Sequence, residues 1–230
     1  TDDAIVLYVL DPEPILFGAA CLQAYAGAGY YASAANTVPE SGFRKLHIVG
    51  IGHSASTFGA NSSSWDNAGL RDLRRRDFPP YTHPTIDANR PVNPCSERLA
   101  KGLATDVFPH VERQLLSLPS TSRITRCLLG ASYSATVALQ VLYWQPTAID
   151  AYILGSPSTP FDPEFVEWLS KTEDATCGSK GAFICYGAYE SEPPAPADLK
   201  PTPGKPFTSD YRNVHRHIPD ASSTLAKVLR

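Results

Sequence analysis

Methionine is absent from all 230 positions, the first included. Such a chain is expected to be a piece of a longer protein, or one that has lost methionines, so motif spacings can run a residue short. An excess of charge of one sign is also missing. The 20 Lys and Arg stand against 23 Asp and Glu, a formal net charge of -3, which leaves no bulk attraction for nucleic acid or an anionic membrane. The one basic run, Arg74-Arg75-Arg76, is flanked by Asp72 and Asp77 and reads as a solvated face. No apolar segment nears the ~20 residues that a bilayer span needs, and no signal-peptide pattern opens the chain. A membrane role is therefore not expected, and the expected location is the cytoplasm.

The cysteines are few and scattered. Cys21, Cys95, Cys127, Cys177 and Cys185 are odd in number, widely spaced and free of any CxxC pair, which indicates neither a disulfide framework nor a zinc site. Asn61-Ser62-Ser63 is a glycosylation sequon that carries little weight without a secretory signal. A Gly-rich phosphate loop is missing as well. Pro12-Glu13-Pro14 follows the first apolar run instead, which argues against a nucleotide-binding α/β protein. No cofactor is expected.

What remains is ordinary in bulk and informative in order. At 43% hydrophobic and 19% charged, residues 1–230 suit one globular domain with a buried sheet. Continuous apolar, β-branched runs at Ala4–Leu10, Leu46–Ile51, Arg123–Leu129, Ala151–Leu154, Ala182–Tyr186 and Val214–Ile218 read as buried strands. Helix-like segments separate them: Pro14–Ala26, Glu97–Leu116, Ala135–Trp144, Pro163–Ser170 and Ser222–Leu229. Strands alternating with helices predict βαβ units, right-handed crossovers and a mostly parallel sheet covered on both faces. The long polar stretch Thr57–Asn93 is expected to line or cover a site. Glu192–Lys205 is a proline-rich excursion near the C-terminal edge.

Two segments approach the Gly-x-Ser-x-Gly pattern of a nucleophile elbow: Gly52-His53-Ser54-Ala55-Ser56 and Gly130-Ala131-Ser132-Tyr133-Ser134. Both follow a strand, but only the second runs into a helix, ATVALQVLYW. The helix matters because its free N–H groups and dipole favour a developing anion. Ser132 is thus the candidate nucleophile. The plain alternative is a strand-turn-helix junction in which the serine serves as a helix N-cap.

The surrounding motifs bear on that choice. LYVLD at Leu7–Asp11, VGIG at Val49–Gly52, RRRDFPP at Arg74–Pro80, the Ser132 elbow and GSPST at Gly155–Thr159 stand in a characteristic order. From Val6 to about Asp162 the chain resembles the esterase D-like branch of the α/β-hydrolases, especially the siderophore esterases that cut trilactone and related iron-chelator esters. The resemblance implies an α/β-hydrolase fold, serine esterase ancestry and a small ester substrate such as a siderophore or another secondary metabolite. The antiparallel strands that normally precede LYVLD in this fold are not found. Composition and resemblance say nothing of the oligomeric state.

By that resemblance, Tyr133 N–H is one oxyanion donor and the second follows the first strand. There the family glycine is replaced by Pro12, which has no N–H, so Glu13 or Ile15 would donate. The acid follows the AFICY strand at Glu190, with Glu192 and Asp198 further on. An exposed loop carboxylate is the plain alternative for Glu190. The histidine is expected last, in the order Ser, acid, His. Yet IPDASST at Ile218–Thr224 puts Ser222 or Ser223 where the family has histidine, and a serine cannot serve as general base near neutral pH. His217 and His215 lie just before, on one face of a strand, where a structural role is the default. His53 and His83 fall in loops, His47 in a strand and His110 on a helix. Three readings stay open: His217 or another histidine substitutes, the residue was changed or lost, or the pocket now serves binding or another reaction.

Overall fold

Runs of Val, Ile and Leu that are apolar on both faces can satisfy their main chain and hide their side chains only inside a parallel sheet. The computed structural model describes residues 3–11, 45–52, 96–157 and 181–185, and within them five strands pair, the last of which, at 181–185, is mostly exposed. They are β1 (Ala4–Leu10), β2 (Lys45–Ile51), β3 (Ile124–Ala131), β4 (Ala151–Gly155) and β5 (Gly181–Cys185). The order across the sheet is β2-β1-β3-β4-β5, and every neighbouring pair is parallel. Among the described strands the chain therefore starts second from one end, steps out to that end, and then returns past β1 to build the other side. The reversal falls between β1 and β3, and the crevice beyond their carboxyl ends is where such sheets bind ligands.

Register decides which face becomes the core. Tyr8 stands opposite Leu128, and Leu128 opposite Tyr152, so Val6, Tyr8, Leu10, Leu128, Tyr152 and Leu154 share one buried face. Helix α3 (Tyr133–Trp144) closes over it with Val137, Ala138, Val141 and Leu142. That helix is apolar on almost every side, as a helix wedged between sheet and helix must be. Beside it lies the helical run from Ser96 to Leu115. The run comprises α1 (Ser96–Gly102), a π-helical turn at Leu103–Val107, α2 (Phe108–His110) and a second π-helical turn at Val111–Leu115. Pro109 lies between the two widened turns. It cannot donate the α-helical bond back to Thr105, and π-turns are a usual accommodation to such a break.

One polar cluster crosses this core. Arg126 Nε and Nη2 donate to Glu112 Oε1 and Oε2 at 2.6 and 2.8 Å, and the Tyr8 hydroxyl donates to Glu112 Oε1 at 3.0 Å. Glu112 is 1% exposed. The forked guanidinium matches a carboxylate's two oxygens, which is how a charge survives at that depth. The cluster pins the helical run to β1 and β3, well back from the carboxyl edge. No described helix is long and apolar enough to cross a membrane.

The strand and helix expectations match these elements within a residue or two. The expected strand at 214–218, the helices at 14–26, 163–170 and 222–229, the 57–93 stretch and the 192–205 excursion lie outside the described residues.

Candidate active site

At the carboxyl edge three strands leave the sheet in the same manner. Asp11 after β1, Ser132 after β3 and Ser156 after β4 have φ of 50°, 56° and 42°. A positive φ in a residue with a Cβ is disfavoured by roughly 1–3 kcal/mol and persists only where neighbours fix it. Here the fixing is visible. Each residue's N–H makes one last ladder bond outward: Asp11 to Ile51 O at 2.8 Å, Ser132 to Gly155 O at 2.8 Å, and Ser156 to Cys185 O at 2.6 Å. The bond holds each residue in the sheet, and at Ser132 the chain then leaves it for the helix at Tyr133–Trp144.

Ser132 leads directly into α3. Its ψ is -120° and it occupies the N-cap position of α3, yet its side chain makes no capping bond. It is exposed. A serine kept for capping would turn its oxygen onto the first helical N–H groups; this one does not. The backbone around it shows why its neighbours must be small. A Cβ on Gly130 would lie 2.4 Å from Ser134 O and 2.7 Å from Ala135 N, so the first turn of the helix passes directly over the strand. Ser134, standing where the elbow pattern has its last glycine, is 2% exposed. Its hydroxyl accepts from Ala131 N–H at 2.9 Å and donates to Ala131 O at 2.8 Å.

The main-chain N–H of Tyr133 belongs to the first turn of α3, where no intrahelical acceptor exists. It follows Ser132 directly, at the positive end of the helix dipole. The arrangement can therefore present a hydroxyl and, beside it, an N–H suited to a developing oxyanion. Deeper in β3 the environment turns apolar: burial, and then the Asp150 carboxylate, push the Cys127 thiol above its usual range. Burial and the Glu112 charge push the Tyr8 hydroxyl up likewise. No group of three or more potential metal ligands occurs among the described residues.

Of the residues expected from the sequence, the structure places Ser132 and the Tyr133 main chain together at the corner. Glu13, Ile15, Glu190, Glu192, Asp198, His217, His215, His53, His83, Ser54, Ser222 and Ser223 lie outside the described residues. His47 falls in β2 opposite Val6, and His110 in α2. Two features were not anticipated. Ser156 forms a corner beside Ser132, hinted at by the Gly-Ser-Pro strand end. Ser134 bonds back onto the strand, for which its small size was the sole hint.

No family model matches the chain. A curated relative, the siderophore triacetylfusarinine C esterase of Aspergillus fumigatus, is 30% identical over 138 residues, covering 56% of this chain and 44% of that protein. The chain thus spans less than half the length of that relative. Among solved structures, the siderophore hydrolase EstB from Aspergillus nidulans superposes with a TM-score of 0.60 at 18% identity, over 99% of this chain and 70% of that one. The siderophore hydrolase EstA from the same species gives 0.58 at 16%, over 98% and 68%. An IroE-like serine hydrolase from Shewanella oneidensis gives 0.57 at 20%, over 98% and 61%. With the sheet order, these likenesses show an α/β-hydrolase fold.

Proposed function

We propose that the chain is a serine-dependent carboxylic ester hydrolase acting on a small ester of the siderophore type. The observation that carries the proposal is the conformation of Ser132: exposed, at φ 56° and ψ -120°, between a parallel strand and a helix it does not cap. In this reading Ser132 Oγ attacks the ester carbonyl carbon, and a histidine takes the hydroxyl proton. The carbonyl oxygen becomes an oxyanion held by Tyr133 N–H and by a second donor at Glu13 or Ile15. Collapse expels the alcohol, which takes the proton from the histidine. Water, activated by the same base, then releases the acid and restores the serine. Glu190 orients the histidine, and His217 is the histidine assigned. The 57–93 segment shapes the pocket, and no metal or organic cofactor takes part.

A second reading keeps the pocket and drops the hydrolysis. It is favoured by Ser222 and Ser223, which stand in IPDASST where a histidine is expected. Loss of the base leaves some catalysis over water but removes about 10⁴-fold or more. Labelling with a fluorophosphonate, beside hydrolysis of a trilactone iron-chelator ester, separates the two. Stoichiometric modification of Ser132 at a rate ordinary for serine hydrolases, with ester turnover, supports the hydrolase. A folded protein inert to both overturns it and leaves the binding reading.

A further inference from the structure

Ser134 is buried close to where, among the described residues, β1 and β3 stop pairing. Backbone groups alternate sides along a strand, and Ser132 N–H points to β4. The N–H and C=O of Ala131 therefore point the other way, toward β1. Pairing between β1 and β3 stops at Val9 and Leu129, two residues short of Ala131. The strands have begun to part there, at the crevice beneath the candidate site. Ser134 Oγ takes over what the ladder leaves off, accepting from Ala131 N–H at 2.9 Å and donating to Ala131 O at 2.8 Å. One oxygen thus grips both main-chain groups of the residue before the corner.

A glycine at position 134 could do neither. The elbow pattern requires small residues because strand and helix nearly touch, and the contact of Gly130 with the Ser134 main chain shows that demand here. A serine meets the size limit and adds a clasp. From these contacts we infer that Ser134 is a positioning residue: its hydroxyl locks the Ala131 peptide groups and so fixes the corner on which Ser132 is presented. The inference rests on Ser132 being the nucleophile. Ser134 touches no reacting atom. It acts through residues 131 and 132, whose conformation is otherwise disfavoured and has to be held.

The test compares Ser134→Ala and Ser134→Gly, which both lack the hydroxyl, with Ser134→Thr, which keeps it. Two quantities are read on each folded protein: amide hydrogen exchange at Ala131, and acylation by a fluorophosphonate with kcat and KM for an ester. The expected result for Ala and Gly is faster exchange at Ala131 and a 10- to 100-fold slower acylation, in line with small misplacements of a reacting group. KM stays within about twofold, and Thr restores the rate. Wild-type acylation rates in both hydroxyl-free variants overturn the inference, whether or not exchange rises. A wild-type protein that is never acylated refutes the hydrolase reading separately. In that case exchange at Ala131 alone decides whether the clasp exists: protection lost in the variants upholds it, and protection kept overturns it.

Discussion

Gly130 and Ser134 approach so closely that a methyl group on residue 130 would lie 2.4 Å from the Ser134 carbonyl oxygen. Backbone atoms cannot yield as a flexible side-chain tip can, so the helix would have to lift off the strand. Gly130→Ala is expected to lower unfolding free energy in urea by about 2 kcal/mol or more. It should also reduce acylation of Ser132 more than it reduces stability-corrected folded protein, because the corner moves with the helix.

Ser132→Gly tests whether the corner is strained. Glycine adopts positive φ without a Cβ clash, while a residue with a side chain is disfavoured there by roughly 1–3 kcal/mol. After the extra chain entropy of glycine is subtracted, the variant is expected to be more stable than wild type by about 1 kcal/mol and catalytically dead. A variant of lower stability by urea denaturation would show that residue 132 is not held against its preference.

Arg126 and Glu112 supply a test of the core. Removing the guanidinium leaves a carboxylate that is 1% exposed without its main partner. Arg126→Met is expected to lower stability by about 3 kcal/mol, and the double change Glu112→Leu with Arg126→Met by much less. Equal losses in the single and double variants would contradict this account.

Alkaline stability should report Cys127. Burial, and next the Asp150 charge, raise its folded thiol pKa. Below the ordinary thiol range both states are protonated and the contribution is complete. Above it the unfolded chain ionises first, so stability falls as pH rises toward the folded value. Cys127→Ala is therefore expected to show a shallower decline in Tm from pH 8 to 10 than wild type. A parallel decline would sink the idea.

His217→Ala should cost about 10³-fold in kcat for an ester if that histidine is the base, while His215→Ala leaves kcat within a few-fold. The reverse ranking would reassign the base, and two unaffected variants would remove both residues from the reaction.

Much of the architecture was legible because burial on two faces leaves a plain signature. AIVLYVL at Ala4–Leu10 has no charged position, and a run of that length inside an α/β pattern has one comfortable place to go. Ser132 was legible for a related reason: a glycine, a small residue and a helix-compatible run must follow a strand if its end is to turn sharply. The Tyr8–Glu112 bond joins residues 104 apart, a pairing no local period announces. Arg126 interrupts an otherwise apolar strand, and its partner Glu112 comes from the distant helical run. The two π-turns about Pro109 were equally hidden, since proline signals a break but not how the helix absorbs it. Ser134 was judged by size alone, whereas its role depends on where β1 stops pairing.

The corner after β3 also makes strand length a parity condition. Side chains alternate between the faces of a strand, so one residue inserted between Ile124 and Ala131 would rotate everything beyond it by half a turn. The side chain at 132, now exposed, would then turn to the opposite side of the sheet, and Gly130 would no longer lie under the helix. Lineages carrying this sheet should therefore accept indels in that strand in pairs or not at all.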